Sequence, residues 1–377
     1  MSLEMDTKNS TLLESVVKHM ILKEIDLYIT EKCNLSCPFC SIRATANSTK
    51  ELDFNIIKQF VDFCKENEVT DIHITGGEPT LHKNYKDIIK YIIDTGIDTR
   101  LITNGLLLSE NDLIELKEIG LKKLMFSLDG TESFHESVRG KGTFKKTFST
   151  VKNAIATGFN VRVNAVAWEE NTDSILELMC ILDEISADVF SVFLGSPVGR
   201  AKDQNRLTVI GAEDWISFIK KLRYIYSQYN LKIKVVIEQG FISAQECIEH
   251  VNLRSCTSII NNTDYLSVRA DGNVFPCVFF SNDFQSIGNI YNIYSYDFYG
   301  NLKKSKLYNL IATLPSACSS CNNVEHCYGG CRGFNFSPAE IGRDLRCRQD
   351  RYIPICPLIK RDLFEDDLAP CTDDLLL

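Results

Sequence analysis

From Ile25 to about Tyr229, short runs of β-type residues alternate with stretches whose apolar positions recur every three or four residues. The β-type runs are IDLYIT (25–30), DIHIT (71–75), TRLIT (99–103), KKLMFSL (122–128), NVRVNAV (160–166) and DVFSVFL (188–194). Between them lie helical patterns such as FNIIKQFVDFCKEN and YKDIIKYIIDT. Strands alternating with helices predict parallel βα units. Six units are too few to close an eightfold barrel, so the pattern predicts an α/β protein with a partial (β/α)6 TIM-like barrel over residues 25–235. Residues 1–24 form an N-terminal extension, and residues 236–377, where the alternation stops, form a smaller cysteine-rich domain with a C-terminal tail. Barrels of this kind carry their sites at the C-terminal ends of the strands. The polar and glycine-rich stretches TEKC, TGGEP, TNG, SLDG and GSPVGRA all follow predicted strands. That is where a site is expected.

Composition narrows the class. The 377 residues are 44% hydrophobic and 24% charged, as in globular proteins. No apolar run is long enough to cross a bilayer, and the N-terminus lacks the apolar segment of a secretory signal. A cytoplasmic protein is expected, with reduced thiols and no membrane partner. There are 15 cysteines, and a cluster of eight from Cys256 to Cys356 then reads as metal ligation rather than as disulfides. Cys64, Cys180 and Cys247 sit among apolar residues and read as packing thiols, while Cys371 lies in an acidic tail. A net charge of −9 without any concentrated basic stretch argues against nucleic acid as a partner.

The sharpest chemical signal is EKCNLSCPFC, which sets Cys33, Cys37 and Cys40 in the spacing CxxxCxxC. A structural zinc site and an electron-transfer iron–sulfur cluster each want four protein ligands. Three leave one metal position open for chemistry. This motif after the first strand, with Phe39 before its last cysteine, GGEPT (76–80) after the second strand and SLDG (127–130) after the fourth, resembles the radical S-adenosylmethionine (radical SAM) superfamily. HESVRGKGTF (135–144) matches a pattern of its peptide-modifying members. The resemblance implies a [4Fe–4S] cluster on three cysteines whose fourth iron binds SAM, which is cleaved reductively to a 5′-deoxyadenosyl radical. It implies that Gly76 and Gly77 permit close backbone approach and that Glu78 lies near the SAM ammonium. Ser127 and Asp129 would reach the ribose or carboxylate side, Arg139 the carboxylate and Asn164 the ribose. Phe39 and GSPVGRA would lie along the adenine. Arg139 as a solvated surface charge, and Asn104 in TNG as a simple turn residue, are the structural alternatives.

The C-terminal cysteines point to a subclass. Cys256 is followed by Gly-x4-Cys ending at Cys277, then by Cys318, Cys321, Cys327 and Cys331 in the spacing CxxCxxxxxCxxxC. This resembles the SPASM domain, which carries auxiliary clusters on radical SAM enzymes. Cys347 and Cys356 are the two candidates for its further cysteine, and with both the eight thiols suffice for two four-cysteine clusters. Zinc is the alternative occupant. The resemblance implies a peptide maturase acting on a ribosomally made precursor, served by an electron donor such as a flavodoxin or ferredoxin. Only about two dozen residues precede the first strand. A leader-binding module is therefore expected to be absent and a separate leader-peptide-binding protein to replace it. PVGRA, PCVFF and GGCRG also look like tetrapyrrole-modifying enzymes of alternative haem or haem d1 pathways, whose small-molecule substrate needs no such module. An anaerobic sulfatase-maturating enzyme is disfavoured, because Val278 stands where that family has an aspartate base.

Overall fold

The structure, a computed structural model, describes residues 22–238, 265–280, 286–295 and 304–305, with backbone at 336–337, 340–341, 349–350 and 353–354. Cys247, Cys256, Cys318, Cys321, Cys327, Cys331, Cys347, Cys356 and Cys371 lie outside the described residues.

Six βα units are present: β1 (Glu24–Tyr28) and α1 (Phe54–Glu66), β2 (Asp71–Thr75) and α2 (Tyr85–Asp94), β3 (Asp98–Thr103) and α3 (Glu110–Glu118). They continue with β4 (Lys123–Ser127), followed by α4 (Glu132–Arg139) and α5 (Thr143–Ala156), then β5 (Asn160–Ala167) and α6 (Thr172–Glu184), and β6 (Val189–Leu194) and α7 (Ala212–Gln228). A seventh strand, β7 (Lys234–Glu238), pairs in parallel with β6 and spans the point where the alternation was expected to end. Its KVVIE run has three consecutive apolar residues in place of a period-two alternation, so it left a weaker trace in the sequence. β8 (Tyr265–Val268), in the region expected to form a separate domain, joins the same sheet in parallel beside β1. β9 (Asn273–Phe275) and β10 (Gly288–Asn289) add two antiparallel strands, so the sheet runs β10-β9-β8-β1-β2-β3-β4-β5-β6-β7.

Strand alternation divides the two faces. Ile25, Leu27, Ile72, Ile74, Leu124, Phe126, Val161, Val163, Phe190 and Val192 are fully buried against helix residues such as Phe60, Ile88, Ile92, Leu116 and Leu178. Each fully buried Ile, Leu or Phe contributes roughly 1.5–3 kcal/mol. The opposite face carries charge: Asp26, His73, Arg100 and Lys123 stand in register across β1 to β4. His73 Nδ1 lies 3.0 Å from Asp26 and 3.1 Å from Glu24, and Tyr265 donates its hydroxyl to Asp26 at 2.6 Å. This polar lining floors an open barrel whose mouth lies at the C-terminal strand ends. Among the described residues, no helix is long and apolar enough to cross a membrane.

Candidate active site

Beyond Ile29 the chain forms a loop that folds back on itself before α1. Glu31 N–H donates to Lys50 O at 2.9 Å, Cys33 N–H to Thr45 O at 3.1 Å and Leu52 N–H to Ile29 O at 2.9 Å. Cys33 and Cys37 are buried and Cys40 is half-buried. Cys33 Sγ accepts the Leu35 N–H and Cys40 Sγ the Ala44 N–H, both at 3.4 Å. Such N–H···S contacts favour thiolate ligands and tune cluster potential. Burial pushes the free Cys33 thiol up to about 12. Burial raises Cys37 too, opposed first by the Arg139 guanidinium. The three sulfurs do not lie within 4.8 Å of one another, as ligands of a single ion would. Tyr28, Cys33, Ile42 and Ala44 make a small apolar cluster, against which Leu35, Cys40 and Val278 pack. The segment after Cys277 therefore reaches the cysteine loop, and its Val278 presents an apolar surface there.

Gly76 and Gly77 do allow a close backbone approach, and the structure shows what approaches. A Cβ on Gly76 would lie 2.5 Å from Thr30 O, and one on Gly77 2.4 Å from Lys32 O. The Gly77 and Glu78 N–H groups donate to Thr30 O and Lys32 O at 2.7 and 2.8 Å, so the pair clamps the base of the cysteine loop. Glu78 is 0% exposed. Its Oε1 accepts from Thr80 N–H at 3.2 Å and from the Thr80 and Thr103 hydroxyls at 2.7 Å each, and its Oε2 accepts from Asn104 N–H at 2.8 Å. Burial raises its pKa while these donors lower it. Glu78 thus ties the ends of β2 and β3 together rather than presenting an open carboxylate. Asn104 is more than a turn residue, since its side chain donates to Asn34 Oδ1, inside the cysteine motif, at 2.8 Å.

Asp129 is likewise fully buried. One oxygen pairs with Arg139 Nε, and the other accepts the Val166 N–H at 3.0 Å. Its backbone N–H donates to His135 Nδ1 at 3.3 Å and its carbonyl accepts from Asn171 Nδ2 at 2.7 Å. Both oxygens of Asp129 are engaged within the protein, which gives it a positioning role at the strand ends. Arg139 is no solvated surface charge: its side chain is 11% exposed and lies over the Phe39 ring, 5.4 Å from the centroid. Ser127 and Asn164 stand opposite each other on β4 and β5, on the face away from the helices. Asn164 Nδ2 donates to Met125 Sδ at 2.7 Å.

GSPVGRA does not simply run along one wall. Arg200 reaches the cysteine loop, with Nε donating to Cys37 O at 2.8 Å and Nη1 to Ala44 O at 2.7 Å. Near it, Trp168 packs on Phe39 with ring centroids 6.1 Å apart, and Gly195 lies so close that a Cβ would stand 2.5 Å from the indole. Trp168, directly after β5, was not singled out from the sequence. Ser196 and Arg200 lie within GSPVGRA, the stretch expected along the adenine, but their individual contacts were not read from it.

These groups fit a SAM molecule beside an iron–sulfur cluster. Buried Asn164 Oδ1, Ser196 Oγ and Trp168 Nε1 have no hydrogen-bond partner. Together they offer an acceptor, a hydroxyl and a donor, the mixture that an adenosyl and amino-acid ligand can use. The thiols with their N–H donors suit a cluster.

Residues 27–180 match the family model described as the Radical SAM superfamily. The chain is similar to the antilisterial bacteriocin subtilosin biosynthesis protein AlbA of Bacillus subtilis, at 27% identity over 70% of this chain and 56% of AlbA. It thus spans little more than half of that relative. It is also similar to the AdoMet-dependent heme synthase of Methanosarcina barkeri, at 24% identity over 66% of this chain and 74% of that protein. Its fold is that of Streptococcus suis SuiB, with a TM-score of 0.71 and 20% identity over 92% of this chain and 82% of SuiB.

Proposed function

Residues 27–180 are a radical SAM domain, and on that premise we propose that the chain acts on a ribosomally made peptide or protein. When bound, the cluster and SAM supply a 5′-deoxyadenosyl radical that takes hydrogen from an otherwise inert C–H bond. Cys33, Cys37 and Cys40 would hold the cluster. Phe39, Arg139, Asn164, Trp168 and Ser196 would face SAM, with Ser127 beside Asn164. Gly76, Gly77, Glu78 and Asp129 would keep those groups in place. The observation that carries the reading is three thiols at the barrel mouth, two of them accepting N–H bonds, beside orphaned polar atoms.

The peptide substrate is supported by the likeness to AlbA, a bacteriocin biosynthesis protein. Cys256, Cys277, Cys318, Cys321, Cys327, Cys331, Cys347 and Cys356 are proposed as ligands of two auxiliary clusters. A flavodoxin or ferredoxin would supply electrons, and a separate protein would capture a leader peptide. A second reading, tetrapyrrole modification, is favoured by the match to a heme synthase. Val278, packed on the cysteine loop, cannot accept a proton as the aspartate base of sulfatase maturation would, which disfavours that reading.

Anaerobically reconstituted protein should form 5′-deoxyadenosine from SAM with dithionite, and changing Cys33, Cys37 and Cys40 together to Ala should abolish it. Iron should fall from about twelve per chain to about eight in that variant. Undiminished product from the triple variant would sink the assignment. Deuterium carried into 5′-deoxyadenosine from a labelled precursor peptide, but not from a labelled tetrapyrrole, decides between the two substrates.

A further inference from the structure

The second half of the cysteine loop takes its best hydrogen bonds from far along the chain. Within it, Cys40 N–H to Cys37 O and Arg43 N–H to Cys40 O are both long, at 3.3 Å. From the loop after β6, Arg200 gives Cys37 O and Ala44 O bonds of 2.8 and 2.7 Å, and its backbone N–H donates to Cys40 O at 3.1 Å. Gln204 Nε2 donates to Pro38 O, and Asp203 pairs with Arg43. Gly199 has φ +56°, and a Cβ there would stand 2.3 Å from Cys40 O. Only glycine lets the strap lie so close. Strands β2 to β5 separate β1 from β6 in the sheet. The strap therefore spans the barrel mouth.

We propose that Arg200 is a positioning residue for the cluster, and that Gly199–Gln204 is the clasp holding Cys37 and Cys40 at ligand spacing. The inference rests on the reading of Cys33, Cys37 and Cys40 as cluster ligands. Carbonyls of a short loop set where its side chains point, and a planar guanidinium can fix two of them at once. Lysine carries the charge without the fork. Groups that orient metal ligands typically alter metal affinity 10- to 100-fold when removed.

The test uses full-length reconstituted protein challenged anaerobically with an iron chelator, with the Cys33/Cys37/Cys40 triple-alanine protein as blank for any other iron. Arg200→Ala should lose the iron above that blank roughly 10- to 100-fold faster than wild type, and Arg200→Lys should fall between. Gly199→Ala, which keeps Arg200 but intrudes on Cys40 O, should also lose iron faster. Trp fluorescence checks folding, and should Arg200→Ala not fold, Arg200→Lys and Gly199→Ala carry the test. Potentiometric titration should show the cluster's midpoint potential moving negative in Arg200→Ala, as a fixed cation is removed. Wild-type iron retention in the Arg200 variants overturns the proposal, and so does loss in Arg200→Ala with full retention in Arg200→Lys, which would make charge alone sufficient. If wild type holds no more iron than the blank, the cluster reading fails and this inference fails with it.

Discussion

Asp129→Asn tests the claim that Asp129 holds the site instead of touching its ligand. Asparagine keeps an oxygen for the Val166 N–H, 3.0 Å from Asp129 in the native chain. It loses the charge opposite Arg139, whose side chain is only 11% exposed. Removing one partner of a buried ion pair costs about 3–5 kcal/mol, because the other charge stays buried and uncompensated. Arg139 retains slight solvent contact and the face of Phe39, so the low end, about 3 kcal/mol, is expected. Arg139→Met should also destabilise, since it strands a carboxylate that is 0% exposed. The double variant removes both charges and should cost roughly 2 kcal/mol less than the sum of the two single changes.

The assay is anaerobic urea unfolding of the apo-protein, read by Trp168 fluorescence in a Trp215→Phe background. Trp168 suits it because its backbone N–H donates to Asn171 Oδ1 at 2.7 Å, and Asn171 Nδ2 in turn donates to the Asp129 carbonyl. A loss below about 1 kcal/mol in Asp129→Asn, or strict additivity in the double variant, refutes the reasoning: Asp129 would then be free to serve a ligand.

Three further outcomes follow from the same geometry. Gly77→Ala places a Cβ 2.4 Å from Lys32 O; it should destabilise by roughly 1–3 kcal/mol and lower iron uptake, checked by thermal melting and iron assay. His135 is held neutral, its pKa pushed down to about 4 by burial and then by Arg139. An unfolded His protonates near 6.5. Stability from this group is thus complete above about pH 6.5 and lost as pH falls through about 4, by roughly 3 kcal/mol; urea midpoints across that window should slope in wild type and flatten in His135→Gln. Cys64 is fully buried on the core face of α1, so Cys64→Ala should leave iron content unchanged while lowering stability by about 1 kcal/mol.

Strand positions were legible because period-two alternation against a helical layer leaves a direct trace: DIHIT is β2 to the residue. β7 left less, because KVVIE carries three consecutive apolar residues instead of the alternation. The cysteine triplet was legible from spacing alone. The roles of Glu78 and Asp129 were not, because a polar residue after a strand looks the same whether it faces a ligand or binds its neighbours. Here the internal partners are Thr103 and Val166, 25 and 37 residues away. Arg200 was illegible for a related reason, since its carbonyl acceptors lie 163 and 156 residues upstream. Nothing local marks them.

The buried groups of the mouth share one physical task. Gly77 N–H to Thr30 O ties the ends of β1 and β2, and Glu78 ties β2 to β3. Thr147 of α5 donates to Asn104 O at 2.8 Å, linking the β3 end to the helix pair that follows β4. Asp129 ties β4 to β5, Gly195 N–H to Ala167 O at 2.8 Å ties β5 to β6, and Arg200 returns to the loop of β1. The ends of the strand order are β10 and β7, and within it β1 and β6 are not neighbours, being separated by β2 to β5. The clasp joins them at the level of the loops. A cluster site needs its ligands held before the metal arrives, and preorganised groups avoid reorganisation during reaction. A partial barrel gains that rigidity only where the ring of loop contacts closes, which makes Arg200 its most distant and most testable link.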